Sequence, residues 1–223
     1  MGLISRLTKV KDGTVTGDFS NGFRSRRFHY FAQLAESLPR PIRILDVGGT
    51  CHFWEQRGWS GRDDIDLTLL NLEAEETGIP HIRSIAGDAT DLSQYEDDSF
   101  DLVFSNSVIE HLFTYENQRA MASECARVGK NMWIQTPNYW FPIEPHFHWL
   151  GWQWYPRWVR VNAIQRVNCG HRGPYPDRKE AEAAVDEVRL MSHRELVEAF
   201  PGARIWREKL FGLTKSFVVI SGF

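Results

Sequence analysis

The chain has little net charge, few cysteines and no long apolar run. Its 26 lysines and arginines stand against 29 aspartates and glutamates, leaving -3 over 223 residues. That charge supplies no field for a polyanion, so nucleic acid is set aside as a substrate. Arg24, Arg26 and Arg27 cluster, which reads as the solvated face of a helix. The three cysteines, Cys51, Cys125 and Cys169, are an odd number without metal spacing. They read as reduced and incidental, as in the cytoplasm. No apolar stretch reaches the roughly 20 residues of a membrane span. Met1–Arg6 lacks a signal-peptide apolar core, and Arg6 breaks the myristoylation pattern. A cytoplasmic location is the expectation. Internal repeats and low-complexity tracts are absent too.

What is present is core-forming material. A hydrophobic fraction of 42% is ordinary for a globular chain, and the length suits one large domain over residues 1–223. Residues 1–22 are polar and glycine-spaced, an expected N-terminal arm. Phe28, Phe31, Leu34, Ala35 and Leu38 recur at helical spacing between Phe23 and Leu38, stopped by Pro39 and Pro41. Strands are expected at Ile42–Val47, Asp66–Leu72, His81–Ala86, Phe100–Phe104 and Met132–Gln135. A helix is expected from about Tyr115 to Arg127. Ser192-His193-Arg194-Glu195 has the capping-box pattern and opens a helix to about Phe200. Ala203–Leu210 and Ser216–Ile220, joined through Gly212, are too close for a crossover and must pair antiparallel. The fold class is therefore α/β: a doubly wound, Rossmann-like, mostly parallel seven-stranded sheet with a terminal antiparallel pair, covered by helices on both faces.

In such sheets ligands bind beyond the carboxyl ends of the strands. The first strand ends in Asp46, Gly48, Gly49 and Thr50, where glycines admit close approach and amides at a helix start attract a carboxylate. The second ends in Asn71 and Glu73, acceptors for ribose hydroxyls. The third ends in Gly87-Asp88-Ala89, with a carboxylate for an exocyclic amine. The fourth ends in Ser105-Asn106-Ser107, then Glu110-His111. Singly, each has a plainer reading: Gly48-Gly49 an ordinary turn, Asp88 a helix cap, Glu73 an exposed side chain. Together, acidic residues after three consecutive strands suit one nucleoside across the sheet edge.

Ile44-Leu45-Asp46-Val47-Gly48-Gly49-Thr50 resembles the first motif of class I S-adenosylmethionine-dependent methyltransferases. Phe100–Leu112, reading Phe-Asp-Leu-Val-Phe-Ser-Asn-Ser-Val-Ile-Glu-His-Leu, resembles their fourth-strand motif, of the methyltransferase type 11-like kind. The likeness covers about residues 40–140 and the terminal pair. It implies S-adenosyl-L-methionine as cofactor and methyl transfer as activity. Asp46, Gly48 and Gly49 would line the amino-acid end, Glu73 or Asn71 would hold the ribose, Asp88 and Ala89 would meet the adenine, and Ser105 and Asn106 would border the sulfonium. The family alternates Gly-x-Gly-x-Gly, whereas Gly48-Gly49-Thr50-Cys51-His52 keeps only the first position in register. That departure motivates an alternative: a methyltransferase-fold binding protein without turnover. A nicotinamide dehydrogenase fits less well, because Gly-x-Gly-x-x-Gly is absent and the sheet ends antiparallel.

Five of nine tryptophans fall between Trp140 and Trp158. The prolines there forbid a continuous helix, and the aromatic density argues against disorder. Residues from about 138 to 180 are expected to form an irregular aromatic lid over the acceptor side, with a satellite core or a membrane or partner patch as alternatives. The acceptor is expected to be a small molecule, flat, apolar or sugar-like, methylated at oxygen. Methyl transfer is a one-step displacement, so the protein aligns the partners and relieves a hydroxyl of its proton. His146 and His111 are the catalytic candidates. Glu110-His111 also resembles a metal pair of ubiquinone-making methyltransferases, but Ser107 stands where another glutamate would be wanted. Glu144, His146 and His148 could rebuild such a site; the expectation is nevertheless no metal.

Overall fold

The computed structural model describes residues 18–170 and 172–223. The chain divides after Leu38 into two compact units. In the first, helix α1 spans Asp18–Glu36. It starts before Phe23, so residues 18–22 of the expected arm are helical, while residues 1–17 lie outside the described residues. Phe31 and Ala35, four apart, are buried, and Arg24 and Arg26 are exposed.

The second unit is built on seven strands: β1 Ile42–Val47, β2 Ile65–Asn71, β3 Ile82–Ala86, β4 Leu102–Asn106, β5 Met132–Pro137, β6 Arg204–Leu210 and β7 Leu213–Ser221. Their order is β3-β2-β1-β4-β5-β7-β6. The first five are mutually parallel, and β7 runs antiparallel to β5 and β6. Phe211 and Gly212, both at positive φ, close the β6–β7 hairpin as such tight turns require. The chain winds outward from β1 to β3 and returns to β4, so the switch point lies between β1 and β4. Val47 pairs with Ser105 there, which sets the two loops that follow side by side.

Helices cover less of the sheet than alternation predicts. A short α2 (Cys51–Glu55) follows β1, and α3 (Tyr115–Val128) joins β4 to β5. Residues 72–81 and 87–101 carry no helix. Neither stretch has a sustained apolar period of 3.6, and Gly78 and Pro80 interrupt the first. The supposed irregular lid is the converse case. After β5 the chain forms a 3-10 turn at Trp152–Trp154, α4 at Arg157–Ile164 and α5 at Arg178–Asp186, and then α6 at His193–Ala199.

The main core gathers Leu45, Val47, Val103, Ile109, Met121, Ile134 and Val219 around the sheet. A separate cluster joins Phe147, Trp152, Val161, Ile164, Ala181 and Val185, each large side chain worth about 1.5–3 kcal/mol on burial. Part of the aromatic segment is thus a satellite core. Trp140, Trp154 and Trp158 remain exposed. The cysteines are all free, Cys125 and Cys169 buried. Among the described residues no helix is long and apolar enough to cross a membrane.

Candidate active site

β1 is buried at five of its six positions and delivers Asp46 beneath the glycine turn. Gly48 has φ +77, and a Cβ there would meet Val108 Cγ2 at 2.4 Å. A Cβ on Gly49 would stand 1.7 Å from Asp46 Oδ2. Neither position admits a side chain without displacement. Asp46 itself is 1% exposed. Its Oδ2 accepts from Trp54 Nε1 at 2.6 Å, while Oδ1 is buried with no hydrogen-bond partner among the described residues. Burial pushes its carboxyl up to about 7, against the pull of the Trp54 hydrogen bond and the Arg57 charge. Thr50 caps α2 by accepting from the Phe53 amide, and Asn71 Nδ2 donates to the Gly49 carbonyl at 2.9 Å. The turn is braced from β2.

The other residues expected to hold the cofactor are placed less uniformly. Asn71 is half-buried and occupied by its bond to the turn, whereas Glu73 is exposed on the same rim. Asp88 is exposed, and its Oδ1 accepts from both the amide and the hydroxyl of Thr90 at 2.8 Å. It therefore caps its own turn while Oδ2 is not used in it. Ala89 packs against the main core. Ser105 is fully buried and donates to the Val47 carbonyl at 3.0 Å, so it ties β4 to β1. Asn106 is half-buried at the end of β4.

Beyond β4, Ser107 takes φ +60, an uncommon conformation for a side-chain-bearing residue. It turns the chain into the 3-10 turn Ile109–His111. Its hydroxyl donates to Gln135 Oε1 at 2.8 Å. Glu110 is fully buried; Oε2 accepts from Thr136 Oγ1 at 3.0 Å, and Oε1 has no hydrogen-bond partner among the described residues. His111 and His146 meet edge to face, with ring centroids 4.9 Å apart. His146 Nδ1 lies 2.6 Å from Glu144 Oε1, and Glu144 Oε2 accepts the amides of His146 and Phe147. Burial opposes a charge on His146, but the Glu144 bond and the Glu144 and Glu110 charges outweigh it and raise its pKa. His111 Nδ1 lies 3.3 Å from Glu187 Oε1, outside hydrogen-bond geometry. Arg172 donates two bonds to Glu187, at 2.6 and 2.9 Å. Burial works against that carboxylate, yet His111 and Arg172 bring it down to about 2.

Glu187 and Arg172 carry no motif. The available signal is register: Glu187 continues the buried spacing Ala181, Ala184, Val185 of α5, where a charged residue needs a partner. Glu144 also lines an adjoining cleft of about 620 Å³. Tyr139, Trp140 and Trp152 line it, together with Arg160, Arg189 and His193. The Arg160 Nε is buried without a hydrogen-bond partner among the described residues.

No curated protein matches the sequence. Residues 63–132 match the family model described as a methyltransferase domain. Among solved structures, the N-terminal domain of EvdMO1, determined with SAH and D-fucose, is similar at 14% identity and a TM-score of 0.50. That match covers 87% of this chain and 80% of that one. A SAM-dependent methyltransferase from Methanosarcina mazei is 15% identical over 84% of this chain and 95% of its own, with a TM-score of 0.46. One from Aquifex aeolicus is 14% identical over 86% and 87%, with a TM-score of 0.47. A sheet ordered 3-2-1-4-5-7-6, with the family model running from β2 to the start of β5, is the fold that the resemblance to class I S-adenosylmethionine-dependent methyltransferases implies.

Proposed function

We propose that this chain transfers the methyl group of S-adenosylmethionine to an oxygen of a small-molecule acceptor seated in the cleft beside Glu144. The observation that carries the cofactor reading is Asp46. A buried carboxylate oxygen without a partner is costly, and a ligand ammonium beside it relieves that cost. Glycines 48 and 49 keep the approach free of side chains. Glu73 offers an exposed carboxylate to a ribose, and Asp88 Oδ2 an acceptor to an adenine amine. These donors and acceptors fit the cofactor at its charged end and leave its nucleoside end open along the rim, where residues 72–81 carry no covering helix.

When bound, the sulfonium supplies an activated methyl carbon. The protein's part is alignment and proton removal. The aromatic side chains of Tyr139, Trp140 and Trp152 in the cleft lining would hold a flat or sugar-like acceptor and exclude water. On this reading the His111–His146 pair, joined to the cleft through Glu144, takes the proton from the acceptor oxygen.

Calorimetry with S-adenosylhomocysteine tests the first half. Single-site binding, weakened about ten- to a hundredfold by Asp46→Ala, is expected; unchanged binding by Asp46→Ala rejects the assignment. Incubation with methyl-labelled cofactor and a panel of phenolic and sugar acceptors tests the second, with label expected on oxygen. Tight binding with no transfer to any acceptor would favour a binding protein without turnover.

A further inference from the structure

We propose that Glu110, His111 and His146 form a site for one divalent transition-metal cation at the acceptor end of the pocket described above. The placement at the acceptor rests on that functional reading; the site itself does not. One ligand atom from each residue lies within 4.8 Å of the other two. Two imidazoles and one carboxylate on one side of an ion is the ligand set of an open metal centre, with positions left for water or substrate.

Three further features point to an ion. Glu110 is completely buried, yet Oε1 has no hydrogen-bond partner among the described residues. His146 has Nδ1 committed to Glu144, itself fixed by two backbone amides. That leaves Nε2 as the ligand nitrogen and makes it more basic, which is how carboxylates support metal-bound histidines. Charge is the third. Glu110, Glu144 and Glu187 are opposed by Arg172, which pairs with Glu187. Arg160 acts on Glu144 as well, so three carboxylates face two arginines and leave a net negative charge that a cation offsets.

The expectation of a metal-free site rested on Ser107. That hydroxyl is engaged with Gln135, and the third ligand comes instead from His146, in the segment after β5. Mixed nitrogen and oxygen donors favour manganese, iron, cobalt or zinc over magnesium and calcium, which prefer all-oxygen shells. An acceptor hydroxyl on such an ion releases its proton to solvent more readily.

Cobalt(II) titration of the chelator-treated full chain tests this by visible absorption. One equivalent should bind, with affinity reduced at least tenfold by His146→Gln and by Glu110→Gln. Glu144→Gln should cost about ten- to a hundredfold. His146 is partly exposed, so its variant should fold; Glu110→Gln keeps the buried shape. No saturable binding, or binding indifferent to both His146→Gln and Glu110→Gln, overturns the site. S-adenosylhomocysteine titrated into the same preparations separates the readings. Cofactor-product binding without cobalt overturns the metal site alone; cobalt binding without product upholds the site and removes the methyltransferase reading.

Discussion

Asp46 shows what a single buried carboxylate contributes in opposite directions. Its pKa in the folded chain is about 7, above the ordinary value near 4. A raised carboxyl favours the folded state only while protonated. Stability is thus fullest below about pH 4 and is lost as pH rises to about 7. Asp46→Asn removes the titration, so it should melt above wild type at pH 8, with the gap closing toward pH 4; equal gaps at both pH values would contradict the shift. Ligand binding reverses the preference, because a cofactor ammonium needs the ionised form. Wild-type affinity for S-adenosylhomocysteine should fall by about tenfold per pH unit below 7. His146 belongs to the same scale. Its loss in His146→Ala should lower turnover by about 10²–10⁴ with S-adenosylhomocysteine affinity kept; an equal loss of both would assign it to cofactor binding. Among single residues the sequence was informative where backbone geometry demanded a type, as at Gly48 and Asp46. It was ambiguous at Ser105 and Asp88, whose hydrogen bonds go to Val47 and Thr90, because a polar residue at a strand end serves bracing and binding alike.

At the scale of elements, strand-then-glycine signals and caps carried most of the legible fold. Ser192 and Glu195 close the capping box that their spacing announces. Ser192→Ala should cost about 1 kcal/mol in denaturant melts, and no change would mean the cap is redundant with the Arg189–Glu195 pair. The glycine turn is more demanding. Gly49→Ala would drive a methyl into Asp46, so the variant should lose product binding by more than tenfold in calorimetry. Normal binding would show that the turn can relax. The same logic explains where elements were misread. Asp177-Arg178-Lys179-Glu180 carries the cap of α5, with Asp177 accepting from Lys179 and Glu180 amides. Aromatic and proline content around it masks the start signal, and α4 begins directly after its N-cap Pro156, whose side chain offers no capping acceptor. Conversely, residues 72–81 and 87–101 sit where alternation implies helices, yet lack the periodic apolar face that would make them pack.

At the scale of the whole molecule, the order of the strands sets the ends of β1, β4 and β5 side by side, and with them Asp46, Glu110-His111 and the segment that carries His146. Nothing in the linear sequence pairs His111 with His146 or Glu187, since those contacts arise only when the segment after β5 folds back over the end of β4. Such contacts are long-range, and periodicity reports local order alone. Ligand linkage tests this arrangement without assuming an acceptor. A ligand that binds only the folded chain stabilises it by about 2.7 kcal/mol at a hundredfold its dissociation constant. For a chain of this length each kcal/mol moves Tm by about 2–4 °C. S-adenosylhomocysteine at that excess should therefore raise Tm by roughly 5–10 °C. At the same concentration, an Asp46→Ala protein weakened a hundredfold sits at its own dissociation constant, where the gain is about 0.4 kcal/mol and the shift only about 1 °C. A shift of the same size in both proteins would mean that the ligand sits elsewhere than beneath the glycine turn.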